Sequence, residues 1–120
     1  MGLYNFKARF APLVESGQKK HTIRSRRARP DKPGNILHLY TGLRTRRARL
    51  LLRAICVKIE DIEIQSDGTV RIDGTRLAED EREMLAVKDG FRSWEEMRAY
   101  WEDVHDLLNR SFVGHVIHWR

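Results

Sequence analysis

The 120-residue chain contains one cysteine, Cys56, and no long run of apolar residues. A single cysteine excludes an internal disulfide and leaves a cysteine-based zinc site short of ligands. The apolar neighbours Ile55 and Val57 favour a buried, structural thiol over a reactive one. No stretch reaches the roughly 18 to 20 apolar residues of a membrane span, and none near residue 1 resembles the core of a signal peptide. We therefore expect a soluble, cytoplasmic protein with no membrane partner.

The motifs of metal and phosphate sites are also missing. The five histidines form neither H-x-x-x-H nor H-E-x-x-H spacing, and no G-x-x-x-x-G-K-[ST] or G-x-G-x-x-G motif is present. His115 and His118 fall on opposite faces of a terminal strand, so they cannot both ligate one ion from it. The sequence predicts neither a metal nor a cofactor.

Charge is distributed unevenly along the chain, which has a net charge of +6. Residues 1–58 contain 15 Lys/Arg and 2 Asp/Glu, whereas residues 59–120 contain 8 and 15. A surface with segregated charge concentrates polyanions on one side, and phosphate neutralisation dominates sequence-independent nucleic-acid binding. We therefore expect RNA, another single-stranded nucleic acid or a nucleotide as the partner. The alternative is that the two halves neutralise each other within the fold.

Apolar periodicity predicts about six short strands within one domain spanning residues 1–120. One apolar run predicts a buried strand from Leu50 to about Glu60. Ile62–Ile64 and Val70–Ile72 alternate around an Asp-Gly pair and predict a hairpin. Closely spaced strands favour an α+β fold around a small, largely antiparallel β-barrel over a doubly wound sheet.

Three helices complete the predicted fold. A short helix over Arg9–Ser16 is expected to end at Gly17, and a second is expected over about Leu77–Val87. Ser93 begins a capping-box sequence for the third. Five residues of this helix recur at helical spacing and predict a core-facing stripe: Trp94, Met97, Trp101, Val104 and Leu108.

The segment Gly17–Arg29 contains the candidate catalytic residues. Lys19 and Thr22 lie three residues apart where a helix gives way to a strand, so an amine can approach a hydroxyl. Neighbouring cations lower the pKa of a desolvated lysine, and a neutral amine can activate a hydroxyl nucleophile. Asp89, at a helix break before Gly90, is the best-placed loop carboxylate. The alternative is that Lys19 only binds phosphate and Thr22 only caps or pairs.

Two basic segments bracket the strand at residues 36–40, and we interpret them as nucleic-acid-binding. If they lie at the same end of a sheet they form one phosphate-binding patch, and if they lie at opposite ends they are separate solvated loops. Tyr40 offers a ring for stacking an unpaired base, whereas the tryptophans of the third helix are better explained as core. The candidate cations are Lys20, Arg24, Arg26, Arg27, Arg29, Arg44, Arg46 and Arg47.

Several short motifs occur in one order along almost the whole chain. They are Gly17-x-Lys19-x-x-Thr22-x-Arg24, Pro33-Gly34, Tyr40-Thr41-Gly42-Leu43-Arg44-Thr45, Asp89-Gly90-Phe91, the Trp94-to-Trp101 helix and Gly114-x-x-Ile117-x-Trp119. In this combination the sequence resembles the activating signal cointegrator homology (ASCH) family.

The resemblance implies a β-barrel like that of pseudouridine synthase and archaeosine transglycosylase (PUA-like), with a cleft for RNA or a nucleotide. Some small ASCH proteins hydrolyse N4-acetylcytidine to cytidine with a lysine, a threonine and a glutamate, and others cleave or simply bind RNA. Lys19 and Thr22 match that lysine and threonine, while Asp89 stands where the glutamate is expected and is one methylene shorter. The arginine-rich loops favour an RNA-sized partner over a nucleoside.

Overall fold

The computed structural model describes residues 2–120, which form seven strands and three helices. In chain order these are β1 (Gly2–Phe6), α1 (Ala11–Ser16), β2 (His21–Ser25), β3 (Ile36–Thr41), β4 (Arg49–Ile64), β5 (Val70–Ile72), β6 (Thr75–Arg76), α2 (Glu79–Lys88), α3 (Trp94–His105) and β7 (Phe112–Trp119). The predicted α+β class, with a short N-terminal helix and two later helices, is confirmed. The strand number was too low, because the two-residue β6 carries no periodicity of its own.

The long strand β4 joins the two halves of the sheet. We predicted separate strands at Leu50–Glu60 and Ile62–Ile64, which was wrong: the 16 residues of β4 are continuous. Its first half pairs with β3, its second half with β7, and its end with β5, all antiparallel. No glycine or proline interrupts the segment, and Ile62 and Ile64 continue its buried face.

The sheet is open between β1 and β2. The strand path runs β1-β3-β4-β7-β2, with β1 and β3 parallel, and no ladder joins β1 to β2 within residues 2–120. A closed barrel is therefore not confirmed. Two arginine side chains cross the opening instead: Arg24 Nη2 donates to the Asn5 carbonyl at 2.6 Å and Arg27 Nη2 to the Leu3 carbonyl at 2.7 Å.

The core lies between the inner face of the sheet and the helices. Trp94, Met97 and Trp101 of α3 are buried in it, as the stripe predicted. Val104 and Leu108 were expected there as well, but they are 44% and 67% exposed. Leu108 leaves the stripe because α3 ends at His105 and Asp106 adopts a left-handed conformation that turns the chain. Val104 is still helical and lies at the exposed edge of the stripe.

Two side chains that we expected to have structural roles are placed as expected. Cys56 is buried, and burial raises the pKa of its thiol, which fits the predicted structural role. Ser93 Oγ accepts a hydrogen bond from the Glu96 amide and caps α3.

Candidate functional site

A cavity of about 450 Å³ opens where β1 and β2 fail to pair. The loop between α2 and α3 and one face of α3 form its far side. One part of its wall is aromatic and consists of Phe6, Phe10, Phe91, Tyr100, Trp101 and His105. The remaining wall contains four cations, Lys7, Lys19, Arg24 and Arg27, together with Asn5, Thr22, Ser25, Asp89 and the apolar Ile23. The cavity thus combines a surface for stacking with donors for an anion.

Lys19 and Asp89 form a buried ion pair in this cavity. Lys19 Nζ lies 2.6 Å from Asp89 Oδ1, and the same ammonium donates to the Asp89 carbonyl at 2.6 Å. Both residues are almost fully buried, Lys19 with 3% of its surface exposed. The three predicted catalytic residues, Lys19, Thr22 and Asp89, all line the cavity.

Two glycines place the members of this pair. Gly17 ends α1 with φ = 82°, as predicted, and the next turn of chain lets the Lys19 amide donate to Leu13 O at 2.9 Å. Gly90 follows Asp89 with φ = 106°, and a Cβ there would lie 2.8 Å from the Phe10 ring. Gly90 thus lets the chain turn directly after α2, and Asp89 at the end of this helix faces Lys19.

The environment of Lys19 disfavours its charged form. Burial lowers the pKa of the Lys19 amine, and the nearby Arg24 guanidinium lowers it further, while Asp89 opposes both effects. Burial likewise lowers the pKa of Arg24, with a further contribution from Arg27. An arginine nevertheless stays charged near neutral pH.

Thr22 is held by Arg24 rather than by Lys19. Its Oγ1 accepts a hydrogen bond from Arg24 Nε at 3.1 Å, and no hydrogen bond joins it to the Lys19 amine within residues 2–120. The predicted contact between amine and hydroxyl is therefore absent from this arrangement, in which the amine is occupied by Asp89. The guanidinium is instead positioned to stabilise negative charge on the Thr22 oxygen.

His21 is a member of the site that the sequence analysis missed. Its Nε2 lies 3.2 Å from Asp89 Oδ1, in poor hydrogen-bond geometry, and the residue is only 5% exposed. His21 is not part of the cavity wall, so it contacts Asp89 without facing the cavity. The one signal available was its position two residues after Lys19, at the start of a buried strand.

A second histidine lies behind His21. His118 of β7 is its partner in the β2–β7 register, and the ring centroids are 5.4 Å apart. His118 Nε2 contacts Glu60 Oε1 at 2.5 Å. Burial lowers the pKa of His118, and His21 and Lys58 lower it further, whereas Glu60 raises it.

The first basic segment is only partly directed at the cavity. Arg27 lines it, with its guanidinium 3.9 Å from the centre of the Tyr4 ring. Arg26 instead lies 3.4 Å from Asp61 on the outer face of the sheet, and Arg29 is exposed. Lys20 is exposed just before β2 and is outside the cavity wall.

The second basic segment lies toward the other end of β1. Arg44, Arg46 and Arg47 are exposed in the turn after β3, which ends beside Phe6, whereas Arg27 reaches back to Leu3. The Leu43 amide donates to Asn5 Oδ1 at 3.0 Å and ties this turn to the cavity rim. The two segments therefore flank the cavity instead of forming one patch.

Tyr40 lies outside the cavity. It pairs with Asn5 across the β1–β3 ladder and is half-buried, but it does not contribute to the wall. The aromatic surface comes from the last residue of β1, the residue before α1, the loop before α3 and α3 itself.

Most cations of the first half lack a carboxylate partner. Ion pairs within 4 Å involve Arg9, Lys19, Arg26, Arg49 and Lys58. The other ten cations form no ion pair with a carboxylate of residues 2–120. They are Lys7, Lys20, Arg24, Arg27, Arg29, Lys32, Arg44, Arg46, Arg47 and Arg53. Mutual neutralisation of the two halves therefore accounts for a minority of the positive charge.

Searches for metal sites, membrane-spanning helices and related proteins do not identify a further function for the described residues. Across residues 2–120, His, Cys, Asp and Glu side chains form no group of three or more suited to a metal ion. No helix in this range has the length and apolar character needed to cross a membrane. No family model, curated protein or solved structure matches the chain.

Proposed function

We propose that this chain is an ASCH domain that binds RNA or a nucleotide and acts in cytoplasmic RNA metabolism. Its fold would then be a PUA-like barrel that is open between β1 and β2. The observation that supports it best is the cavity, in which aromatic rings and unpaired cations face the same space. A flipped-out base stacks on aromatic side chains, and its phosphates are neutralised by Lys and Arg.

The size of the cavity favours a single nucleotide over a paired duplex. Pockets for small ligands span about 300–1,000 Å³, and the volume of about 450 Å³ lies within that range. Arg24 lies in β2 and Arg27 follows just after it, and both line the opening together with Tyr100 and Trp101. A base stacked on these two rings would leave its phosphate within reach of the guanidinium groups.

The flanking segments extend the binding surface beyond one nucleotide. Arg29 on one side and Arg44, Arg46 and Arg47 on the other are exposed and lack carboxylate partners within residues 2–120. Phosphate contacts of this kind release counterions, so their contribution falls as salt rises. We therefore propose a single-stranded RNA that passes over the cavity.

Fluorescence anisotropy with a labelled single-stranded octauridylate tests this function. We expect binding at low salt that weakens steadily as salt is raised, and weaker binding with a smaller salt dependence when Arg46 and Arg47 are both replaced by alanine. The matched control replaces Arg92 and Arg110, two exposed arginines of the acidic half, and should bind as the unaltered protein does. Negligible binding at low salt, or binding insensitive to salt, would exclude the proposal.

The Lys19–Asp89 pair supports a second candidate, an amidohydrolase that converts N4-acetylcytidine to cytidine. In this reaction the Lys19 ammonium would first pass a proton to the Asp89 carboxylate, and the neutral amine would then take the Thr22 hydroxyl proton as Oγ attacks the acetyl carbon. Lys19 would return the proton to the departing N4 of cytidine, and water would then release acetate from Thr22. Arg24 Nε, 3.1 Å from Thr22 Oγ1, supplies a positive charge beside the nucleophile.

Product analysis separates this candidate from simple binding. The protein is incubated with N4-acetylcytidine and the formation of cytidine is followed by chromatography. Hydrolysis that disappears in both Lys19→Ala and Thr22→Val supports the enzyme. Absence of cytidine, or an unchanged rate in Lys19→Ala, leaves RNA binding as the function. An RNA-cleaving activity would appear instead as fragments of the labelled octauridylate.

A further inference from the structure

A lysine ammonium and a histidine ring converge on one buried carboxylate oxygen. Lys19 Nζ and His21 Nε2 lie 2.6 and 3.2 Å from Asp89 Oδ1. Lys19 belongs to the cavity wall and His21 does not. Of these two groups, only Lys19 can therefore also meet a ligand in the cavity.

Charge balance links the two contacts. Without a ligand, the Lys19 ammonium alone balances the buried Asp89 carboxylate, and a charged His21 would add an unbalanced positive charge. When an anionic ligand engages Lys19, the carboxylate loses part of its counter-charge, which is costly for a buried ion. Protonation of His21 restores the balance, because the ligand then faces Lys19 while Asp89 faces an imidazolium.

The groups around His21 favour protonation of its ring only when a ligand binds, over a ring that is always protonated. His118 of β7 lies 5.4 Å away, ring to ring, and the Lys58 ammonium lies beyond it on β4. Glu60 contacts His118 and not His21. Asp89 is thus the one carboxylate in contact with His21 within residues 2–120, and it is already shared with Lys19.

We propose that His21 is a positioning residue that takes up a proton from solvent when a phosphodiester binds in the cavity, and so holds Asp89 while Lys19 turns to the ligand. This inference rests on the proposed RNA binding and adds its regulation by pH. Because linkage is reciprocal, RNA affinity increases as pH falls, by up to about tenfold per pH unit for one proton. No covalent step is involved.

The test measures octauridylate affinity between about pH 8 and pH 5.5, the range in which histidine titrates, at constant ionic strength. Phosphodiesters do not titrate there, so a change in affinity reports on the protein. The variant His21→Gln keeps a polar group beside Asp89 but cannot take up the proton. The matched control is His115→Gln, because His115 lies on the neighbouring strand with its Nε2 also 3.2 Å from a carboxylate, that of Asp61.

We expect affinity to rise at low pH in the unaltered protein and in His115→Gln, and to be nearly constant in His21→Gln. Calorimetry in buffers of different ionisation enthalpy should show proton uptake in the first two proteins and little in the third. An identical pH dependence in His21→Gln, or constant affinity in the unaltered protein, would overturn the inference.

Absence of RNA binding at every pH would exclude the proposed function. A second measurement tests the coupling between His21 and Asp89 even in that case. The imidazole of His21 is titrated by NMR in the free protein and in Asp89→Asn. If the pair is coupled as proposed, His21 takes up its proton at lower pH once the carboxylate is removed, whereas His115 is unaffected. An unchanged His21 titration would overturn the coupling itself.

Discussion

Lys19 and Asp89 are separated by 70 residues in the chain, yet Lys19 Nζ donates to both Asp89 Oδ1 and the Asp89 carbonyl at 2.6 Å. This contact fastens the segment after α1 to the end of α2. It also brings a carboxylate and an amine into a cavity whose other wall is aromatic.

The pair should show strong coupling in a double-mutant cycle. Replacing Lys19 with Met leaves a buried carboxylate without its cation and should reduce the free energy of unfolding by about 3–5 kcal/mol. Asp89→Asn should have a comparable effect, while the double variant should be much more stable than the sum of the single effects implies. Urea unfolding measures all four proteins, and strictly additive effects would contradict a direct interaction.

Gly90 should tolerate no side chain. Its φ of 106° opposes alanine, and so does the Phe10 ring, which would lie 2.8 Å from the Cβ of a residue at this position. We expect Gly90→Ala to cost about 2 kcal/mol or more. Gly74 has a similar φ of 83° but open space around it, so Gly74→Ala should cost about 1 kcal/mol. Equal unfolding midpoints for the two variants would show that contact with Phe10 is unimportant.

Tyr4 should make stability sensitive to alkaline pH. Its hydroxyl donates to the buried Asp31 carboxylate at 2.6 Å, and burial and this hydrogen bond raise its pKa. The unfolded chain releases the Tyr4 proton near pH 10 while the folded chain retains it. Stability from this group is therefore complete below about pH 10 and falls above it, by up to about 1.4 kcal/mol per pH unit.

The comparison that isolates this effect is Tyr4→Phe, followed by urea unfolding at about pH 8 and pH 11. At pH 8 the variant should be less stable by about 1–3 kcal/mol, because Asp31 loses a donor. Between the two pH values the unaltered protein should lose more stability than the variant. Parallel losses would show that the Tyr4 proton is not held by the fold.

Adjacent arginines provide a test of which cations face the RNA. Arg27 lines the cavity and packs on the Tyr4 ring, whereas Arg26 lies 3.4 Å from Asp61 on the outer face. We expect Arg27→Ala to weaken octauridylate binding by about tenfold and Arg26→Ala by less than about threefold at low salt. Anisotropy titrations decide between them, and a larger loss for Arg26 would place the RNA on the other side of the sheet.

Local patterns were sufficient to predict much of the site. The helical spacing before Gly17 and the left-handed stop at that residue placed Lys19 correctly just before β2 and Thr22 within it. The helix break at Gly90 likewise identified Asp89. These features depend on neighbouring residues in the chain, so periodicity and turn chemistry reveal them.

Features set by long-range pairing were not predictable. The role of His21 depends on the position of Asp89 and on the β2–β7 register, which brings His118 opposite it. The gap between β1 and β2 depends on how β4 divides its pairing between β3 and β7, with a register shift between Cys56 and Lys58. Tyr40 was selected for its basic neighbours, but strand pairing places it outside the cavity.

The most direct test of the account is whether a nucleotide enters the cavity. Of the three tryptophans, only Trp101 lines it, and the Trp101 indole Nε1 has no hydrogen-bond partner within residues 2–120. The three indole N–H signals can be followed by NMR during titration with octauridylate and assigned with Trp101→Phe. We predict a saturable shift of the Trp101 signal with little change at Trp94 and Trp119. RNA binding that leaves the Trp101 signal unchanged would contradict the account.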